Sequence, residues 1–310
     1  MTVHIEKISK FKSMTIKTIG FILLLLQVPL LLHCQEHEIK IMSYNILTGF
    51  DWGKDTARQT NLVTWVRDQD PDVIALQELC NFNQQKLEKL AKGWDHGYSL
   101  ILKTDGYPVG ITSNKPIELK EKVLTGLWHG MLHCKTWDID FYVVHLSPAD
   151  WQFRRREAAI IKERIEVGQP DNEKYIVLGD FNAHSPFDGD FDLKYPYQLE
   201  RMRKSDLKNE KYQNLRDRSF DYSVMSVFLA LPLIDVCQRY VPLDHRTTCP
   251  APINVPRWLT SDEMQKTKSR IDYILVSPAL DQWCIDADII NEGPTHYLSD
   301  HYPIVAEFSF

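Results

Sequence analysis

The chain has 310 residues, 44% of them hydrophobic and 25% charged, with a formal net charge of −6. That length and composition can bury a sizeable core, as one large α/β domain or two small ones, and exclude disorder. An acidic chain does not recruit nucleic acid by bulk electrostatics, so activity on phosphates needs charge neutralised locally. No solenoid or propeller repeat and no low-complexity tract is present. Cys34, Cys80, Cys134, Cys237, Cys249 and Cys284 form no CxxC pair, which excludes zinc-ribbon and thioredoxin-type motifs.

The first segment reads as an export leader. Lys7, Lys10, Lys12 and Lys17 precede an apolar run from Phe21 to Leu32. The run is shorter than the roughly 20 residues a bilayer span needs, and its basic flank suits a signal peptide. Cys34 follows it directly, in a setting like a lipoprotein cleavage box, although His33 stands where such boxes carry a small residue. Residues 1–34 are therefore expected to be a signal peptide or lipoprotein leader, and 36–310 the functional domain. The product would be periplasmic, secreted or lipid-anchored through Cys34, and monomeric. The leader carries four Lys and one Glu, so its removal leaves a charge of −9.

Beyond the leader, strand and helix patterns alternate. Residues 39–45 alternate apolar and polar side chains and run into a Gly-bearing loop, as a strand does. Residues 56–68 place Leu62, Trp65 and Val66 at helical spacing. Residues 72–78 form a short apolar run ending in Glu78, which suits a buried central strand. Further strands are predicted at 109–113, 130–136 and 140–145, a helix at 151–167, and strands at 175–180, 270–276, 287–290 and 304–310. The pattern loosens between about 187 and 262. Residues 200–218, dense in both charge signs, read as a solvated surface helix, and 244–256 as a long loop. Many strands with few helices between them indicate two packed sheets with helices outside. GxGxxG and P-loop signatures are absent, which argues against a doubly wound nucleotide fold.

Polar groups recur where apolar strands end: Asn45, Glu78, His145, Asp180 with Asn182, and Asp300-His301. A carboxylate or imidazole at such a place serves packing poorly and serves a rigid site well. Taken singly, each has a plain structural explanation: Asn45 and Asn182 as turn residues, Asp180 and Asp300 as caps, His145 as a core histidine. Glu78 resists that explanation most, since a carboxylate ending a buried strand needs a partner. Oxygen ligands from Asn45, Glu78 and Asp300 suit Mg²⁺ or Mn²⁺, and His301 with Asp272 suits proton transfer or phosphate binding. With no serine or cysteine nucleophile in the set, the combination points to metal-assisted attack of water on phosphorus.

Ser43-Tyr44-Asn45, Leu76-Gln77-Glu78, Val144-His145-Leu146, Gly179-Asp180-Phe181-Asn182, Arg270-Ile271-Asp272-Tyr273 and Ser299-Asp300-His301-Tyr302-Pro303 resemble, in order, the motifs of the endonuclease/exonuclease/phosphatase superfamily. The resemblance implies a four-layer α/β/β/α sandwich of two mixed sheets flanked by helices. It further implies a divalent-metal-dependent phosphodiesterase, nuclease-like, with Asn45, Glu78 and Asp300 at the metal; the leader adds export. Asp180 would position or deprotonate the attacking water, and Asn182 would support it and bond the phosphate. His145 and His301 would contact phosphate oxygens or help the leaving group, with Asp272 orienting His301. The substrate would be a phosphate ester: nucleic acid, lipid headgroup or small phosphodiester. A sphingomyelinase-like or inositol-phosphate phosphoesterase is the alternative. A catalytically inactive binding module is a third reading, but it predicts loss of a central ligand, and all eight positions are filled. His184, Ser185 and Asp188, and Asp150, Trp151 and Arg155, are candidates for the substrate walls. His129, His133, His245 and His296 match no motif.

Overall fold

The computed structural model describes residues 37–168 and 173–310, so the leader and Cys34 lie outside the described residues. These residues build two six-stranded mixed sheets. The first contains β1 (Glu38–Asn45), β2 (Val73–Gln77), β3 (Tyr98–Ile101), β4 (Gly110–Ser113), β11 (Cys284–Ile289) and β12 (Ile304–Ser309), in the order β11-β12-β1-β2-β4-β3. The second contains β5 (Glu118–Val123), β6 (Met131–Thr136), β7 (Ile139–His145), β8 (Tyr175–Asp180), β9 (Ile234–Asp235) and β10 (Asp272–Val276), in the order β5-β6-β7-β8-β10-β9. Each sheet has a parallel pair at its centre, β1 with β2 and β7 with β8, and antiparallel neighbours around it.

Strand periodicity explains the layering. Ile39 and Ile41 of β1, with Val73 and Ala75 of β2, face the other sheet and meet Phe141, Val143, Ile176, Leu178 and Ile274. The alternate residues Met42, Tyr44, Ile74 and Leu76 face outward under helices α1 (Thr56–Gln69) and α2 (Gln84–Ala91), through Leu62, Val66, Leu87 and Leu90. On the opposite side Tyr142, Val144 and Val177 pack beneath α3 (Trp151–Gly168) and α4 (Ser223–Leu229). Both faces of the central strands are thus apolar, and each large side chain so buried contributes roughly 1.5–3 kcal/mol. This is the expected four-layer sandwich.

Two departures have clear causes. The expected helix over 200–218 is shorter: a helix spans Tyr197–Asp206, and there the chain turns back. The Asp206 carboxylate accepts from the N–H groups of Asn214 and Leu215, capturing the next segment in place of a further turn. β5, unforeseen, reads Glu-Leu-Lys-Glu-Lys-Val and is largely exposed at a sheet edge, where charge guards against edge-to-edge pairing. The five described cysteines are all unpaired, four of them buried and Cys249 half-buried. Among the described residues no helix is long and apolar enough to cross a membrane.

Candidate active site

The strands of the second sheet bring three candidate side chains into one row. Ladder register sets His145 of β7 beside Asp180 of β8, and Asp180 beside Asp272 of β10. Asp180, only 2% exposed, is the hub. Its Oδ1 accepts from the Asn182 N–H at 2.9 Å, and its Oδ2 accepts from Asn45 Nδ2 at 3.1 Å. The same Oδ2 lies 3.5 Å from His145 Nε2 and 3.9 Å from His301 Nε2. Burial first, then the adjacent Asp272 carboxylate, pushes the Asp180 carboxyl up to about 8. Gly179 makes this close packing feasible: at φ +139° a Cβ there would sit 2.0 Å from the Val144 carbonyl oxygen.

His301 Nδ1 and Asp272 Oδ2 are 2.8 Å apart. Burial disfavours the imidazolium, but Asp272, the Cys249 sulfur and Asp180 outweigh it and hold His301 well above the usual histidine range. Ser299 ties this corner to the first sheet: its hydroxyl donates to the Asn45 carbonyl oxygen at 2.6 Å, and the His301 N–H donates to Ser299 Oγ at 3.3 Å. His145 is held well below the usual range by burial and by its neighbours His129 and His301, and is neutral. Its ring stacks on His129 at 4.1 Å with 24° between planes. Burial and Lys103 push His129 down to about 4.

The first sheet delivers its groups differently. After Asn45 the backbone turns into a left-handed helical stretch, Leu47 to Gly53, with every φ between +48° and +83°. Such backbone costs about 1–2 kcal/mol per non-glycine residue, so the surroundings must enforce it. Asn45 Oδ1 accepts the Leu47 N–H at 3.1 Å, and Glu78 Oε2 accepts the Thr48 N–H at 2.6 Å. Arg58 of α1, 4% exposed, donates to the carbonyls of Ile46 (2.8 Å), Leu47 (2.9 Å) and Leu298 (3.0 Å). Gly49 is required: a Cβ would lie 2.2 Å from the Cys80 carbonyl oxygen. Glu78 itself has φ +59°.

Two groups of residues offer themselves to a cation. Asp180, Asp272 and His301 each present one ligand atom within 4.8 Å of the others. Those groups already serve one another, however: Asp272 Oδ2 lies 2.8 Å from His301 Nδ1, and both Asp180 oxygens accept from Asn45 and Asn182. Asn45, Glu78 and Asp300 offer oxygen donors only. Burial and then the charge of Asp300 raise the Glu78 carboxyl, the mark of two acidic groups crowded together. A hard divalent cation would relieve that crowding, so this oxygen set fits one better.

Some polar residues serve the scaffold. Asp188, expected at a substrate wall, is 1% exposed and bonds Arg270 at 3.0 Å and Arg246 at 3.3 Å. Arg270 also bonds Asp235 at 2.5 Å, so this buried network braces the strand start that carries Asp272. His184 is buried against Asp192 at 2.9 Å and stacks on Phe220. Asp150 caps α3 through the Phe153 N–H at 2.7 Å. Asn182, at φ +47°, combines both roles: it is a turn residue whose Nδ2 donates to the Leu146 carbonyl at 3.1 Å, and its N–H holds Asp180.

A model of the Endonuclease/Exonuclease/phosphatase family matches residues 42–301. The chain belongs to that family. It is, with the family, a phosphoric ester hydrolase. A search of curated proteins returned no match. Among solved structures, an AP endonuclease from Archaeoglobus fulgidus is similar at TM-score 0.64 and 16% identity, over 87% of this chain and 99% of the other. The 3′–5′ exonuclease NExo from Neisseria meningitidis is similar at TM-score 0.63 and 21% identity, over 88% and 100%. A Neisseria NExo 3′ phosphatase bound to a product DNA hairpin gives 0.59 and 19%, over 88% and 100%. At these identities the structural likeness carries the fold.

Sequence reasoning missed His129, Arg58 and Ser299. No motif marks the first two: one needs the stacking partner and the other the carbonyls it gathers. Ser299 did stand inside a recognised motif, beside Asp300.

Proposed function

We propose that this family member is an exported, divalent-metal-dependent phosphodiesterase acting on nucleic-acid-type phosphodiesters. The observation that carries the reading is the convergence on Asp180 of His145, His301, Asn45 and Asn182 from two sheets. A divalent cation bound by Asn45, Glu78 and Asp300 would supply electrostatic stabilisation to the phosphoryl oxygens. Asp180, made more basic than an ordinary carboxylate by burial and by Asp272, takes a proton from the attacking water when ionised. The Asn182 N–H keeps that carboxylate aimed. Protonated His301, oriented by Asp272, donates to a non-bridging oxygen or to the departing one, and neutral His145 borders the same space. DNA as substrate draws support from the NExo structure that holds a product DNA hairpin. Export rests on the basic and apolar pattern of residues 1–34.

The test is turnover of bis-p-nitrophenyl phosphate, plasmid DNA and a short oligonucleotide, with Mg²⁺, with Mn²⁺ and after chelation. Metal-restored cleavage that His301→Ala abolishes is the expected outcome. Undiminished cleavage after exhaustive chelation would sink the metal assignment. For export, fractionation of cells making wild type and Cys34→Ala is expected to find both outside the cytoplasm; cytoplasmic retention of both overturns it.

A further inference from the structure

His145 borders the reacting space, yet no hydrogen bond aims its ring. Nδ1 is buried without a partner among the described residues, and Nε2 stands 3.5 Å from Asp180 Oδ2, beyond an ordinary hydrogen bond. His301 differs, since Asp272 grips its ring at 2.8 Å. The His145 ring therefore takes its place from its own backbone and from His129, whose ring stacks on it at 4.1 Å. Whatever fixes those two stretches of backbone fixes the stack.

One buried side chain reaches both. Glu157 of α3 is fully buried. Its Oε1 accepts the Trp128 N–H at 2.7 Å, one residue before His129. Its Oε2 accepts the Ser147 N–H at 2.8 Å, two residues after His145. Both bonds are short, as bonds to a charged acceptor are. Arg154, one turn earlier on the same helix and itself buried, donates to the Ser147 carbonyl at 2.9 Å and to Asn214 Oδ1 at 2.9 Å. Between His145 and Ser147, the Leu146 carbonyl accepts Asn182 Nδ2 at 3.1 Å, so the same short segment touches the residue that aims Asp180. Burial pushes the Glu157 carboxyl up to about 7, against the pull of the two N–H groups and of Arg154. A buried carboxyl is costly, and an apolar side chain would serve the packing of α3 better if packing were all the position asked.

We infer that Glu157 is a positioning residue: by bridging Trp128 and Ser147 it sets the His129–His145 stack, and with it the place of His145 beside the scissile phosphate. The inference rests on the phosphodiesterase reading above. A carboxylate suits the task because it accepts two N–H groups through two oxygens. Glutamine offers one acceptor and one donor, and aspartate is one methylene too short to reach both loops.

The test compares wild type with Glu157→Gln and Glu157→Asp at pH 8, above the value to which burial raises the native carboxyl. It reads turnover of bis-p-nitrophenyl phosphate with Mg²⁺ and with Mn²⁺, and the NMR shifts of the His129 and His145 ring protons, which a facing ring displaces. Both variants should lower kcat about tenfold with KM unchanged, the scale of a small misplacement of one group. Both should also move the ring shifts toward those of an unstacked histidine. Ile161→Val, which loosens the packing of α3 and breaks neither bond, should lower the melting temperature and leave kcat and the shifts at wild-type values. A Glu157 that only held the fold would behave in the same way. Should one Glu157 variant fail to fold, the other carries both readouts. Wild-type kcat, or undisplaced ring signals, in the folded variants overturns the inference. If wild type turns over no diester with either metal, the hydrolase reading fails on its own account. The ring shifts then decide alone: displacement in the variants keeps the bridge, and its absence removes it.

Discussion

The two sheets supply one site by different physical means. In the second sheet, His145, Asp180 and Asp272 stand in ladder register on neighbouring strands, so backbone hydrogen bonds alone fix their spacing. In the first, Asn45 and Glu78 sit where the strands give out, beside a left-handed turn that local preference opposes. That turn persists because Arg58 gathers three carbonyls and Gly49 leaves room for the Cys80 backbone. The difference teaches that His145, Asp180 and Asp272 ride on the rigid sheet, whereas Glu78 and the turn that Asn45 and Glu78 hold are strained backbone. Substitutions on the first side should therefore cost stability and activity together, and those on the second side activity alone.

The largest effect is expected at the register side. Asp180→Asn should lower kcat by about 10³-fold, within the range for loss of a general base. Its melting temperature should stay close to the wild type, because relief of a crowded buried carboxylate offsets the one hydrogen bond that the new amide NH2 cannot accept. A marked loss of stability in this variant would break the comparison. Glu78→Ala should abolish metal-stimulated turnover, read as a flat response of rate to added Mg²⁺. Lying on the first side, it should also lower the melting temperature through the lost bond to the Thr48 N–H, while circular dichroism still shows a folded protein.

Next come the residues that hold the turn. Arg58→Met should destabilise the fold by about 3 kcal/mol, from three lost hydrogen bonds to a charged donor in a buried place. Gly49→Ala should cost a similar amount, about 3 kcal/mol, from positive φ and overpacking against Cys80. Urea unfolding measures both, and the same preparations should show turnover reduced well beyond any unfolded fraction. Wild-type turnover in Arg58→Met would separate the turn from the chemistry.

The smallest effect sharpens the register side. His129 has its folded-state value lowered, to about 4, so the unfolded chain binds the proton more readily. Its contribution to stability is full above pH about 6.5 and declines as pH falls toward 4, by on the order of 2–3 kcal/mol. His129→Phe keeps a ring against His145 and removes this term. Unfolding free energies measured from pH 7 to 4 should fall less steeply in the variant, and parallel curves would contradict the assignment.

The amphipathic and apolar runs sufficed for the central strands and for α1 and α3, because period and burial are local properties. β5 escaped because an exposed edge strand carries no apolar run. The helix over 200–218 was read too long because charge density cannot reveal that Asp206 turns the chain. In the candidate site, Asn45, Glu78, His145, Asp180 and Asn182 were picked out as polar groups at or just past strand ends, Asp272 as the partner of His301; Asp300 and His301, read the same way, lie instead in the loop before β12. What each touches was not legible.

The sequence by itself determined the layered fold, the family and the residue types at the strand ends, since these follow from periodicity and short contiguous motifs. Only the tertiary structure decided that Asp188 braces Arg270 and not a substrate, that His129 stacks on His145, and that Arg58 gathers the carbonyls of the left-handed turn. The physical reason is the same each time: a buried polar atom takes its role from the partner that meets it, and these partners lie outside the short contiguous motifs that a sequence pattern can mark.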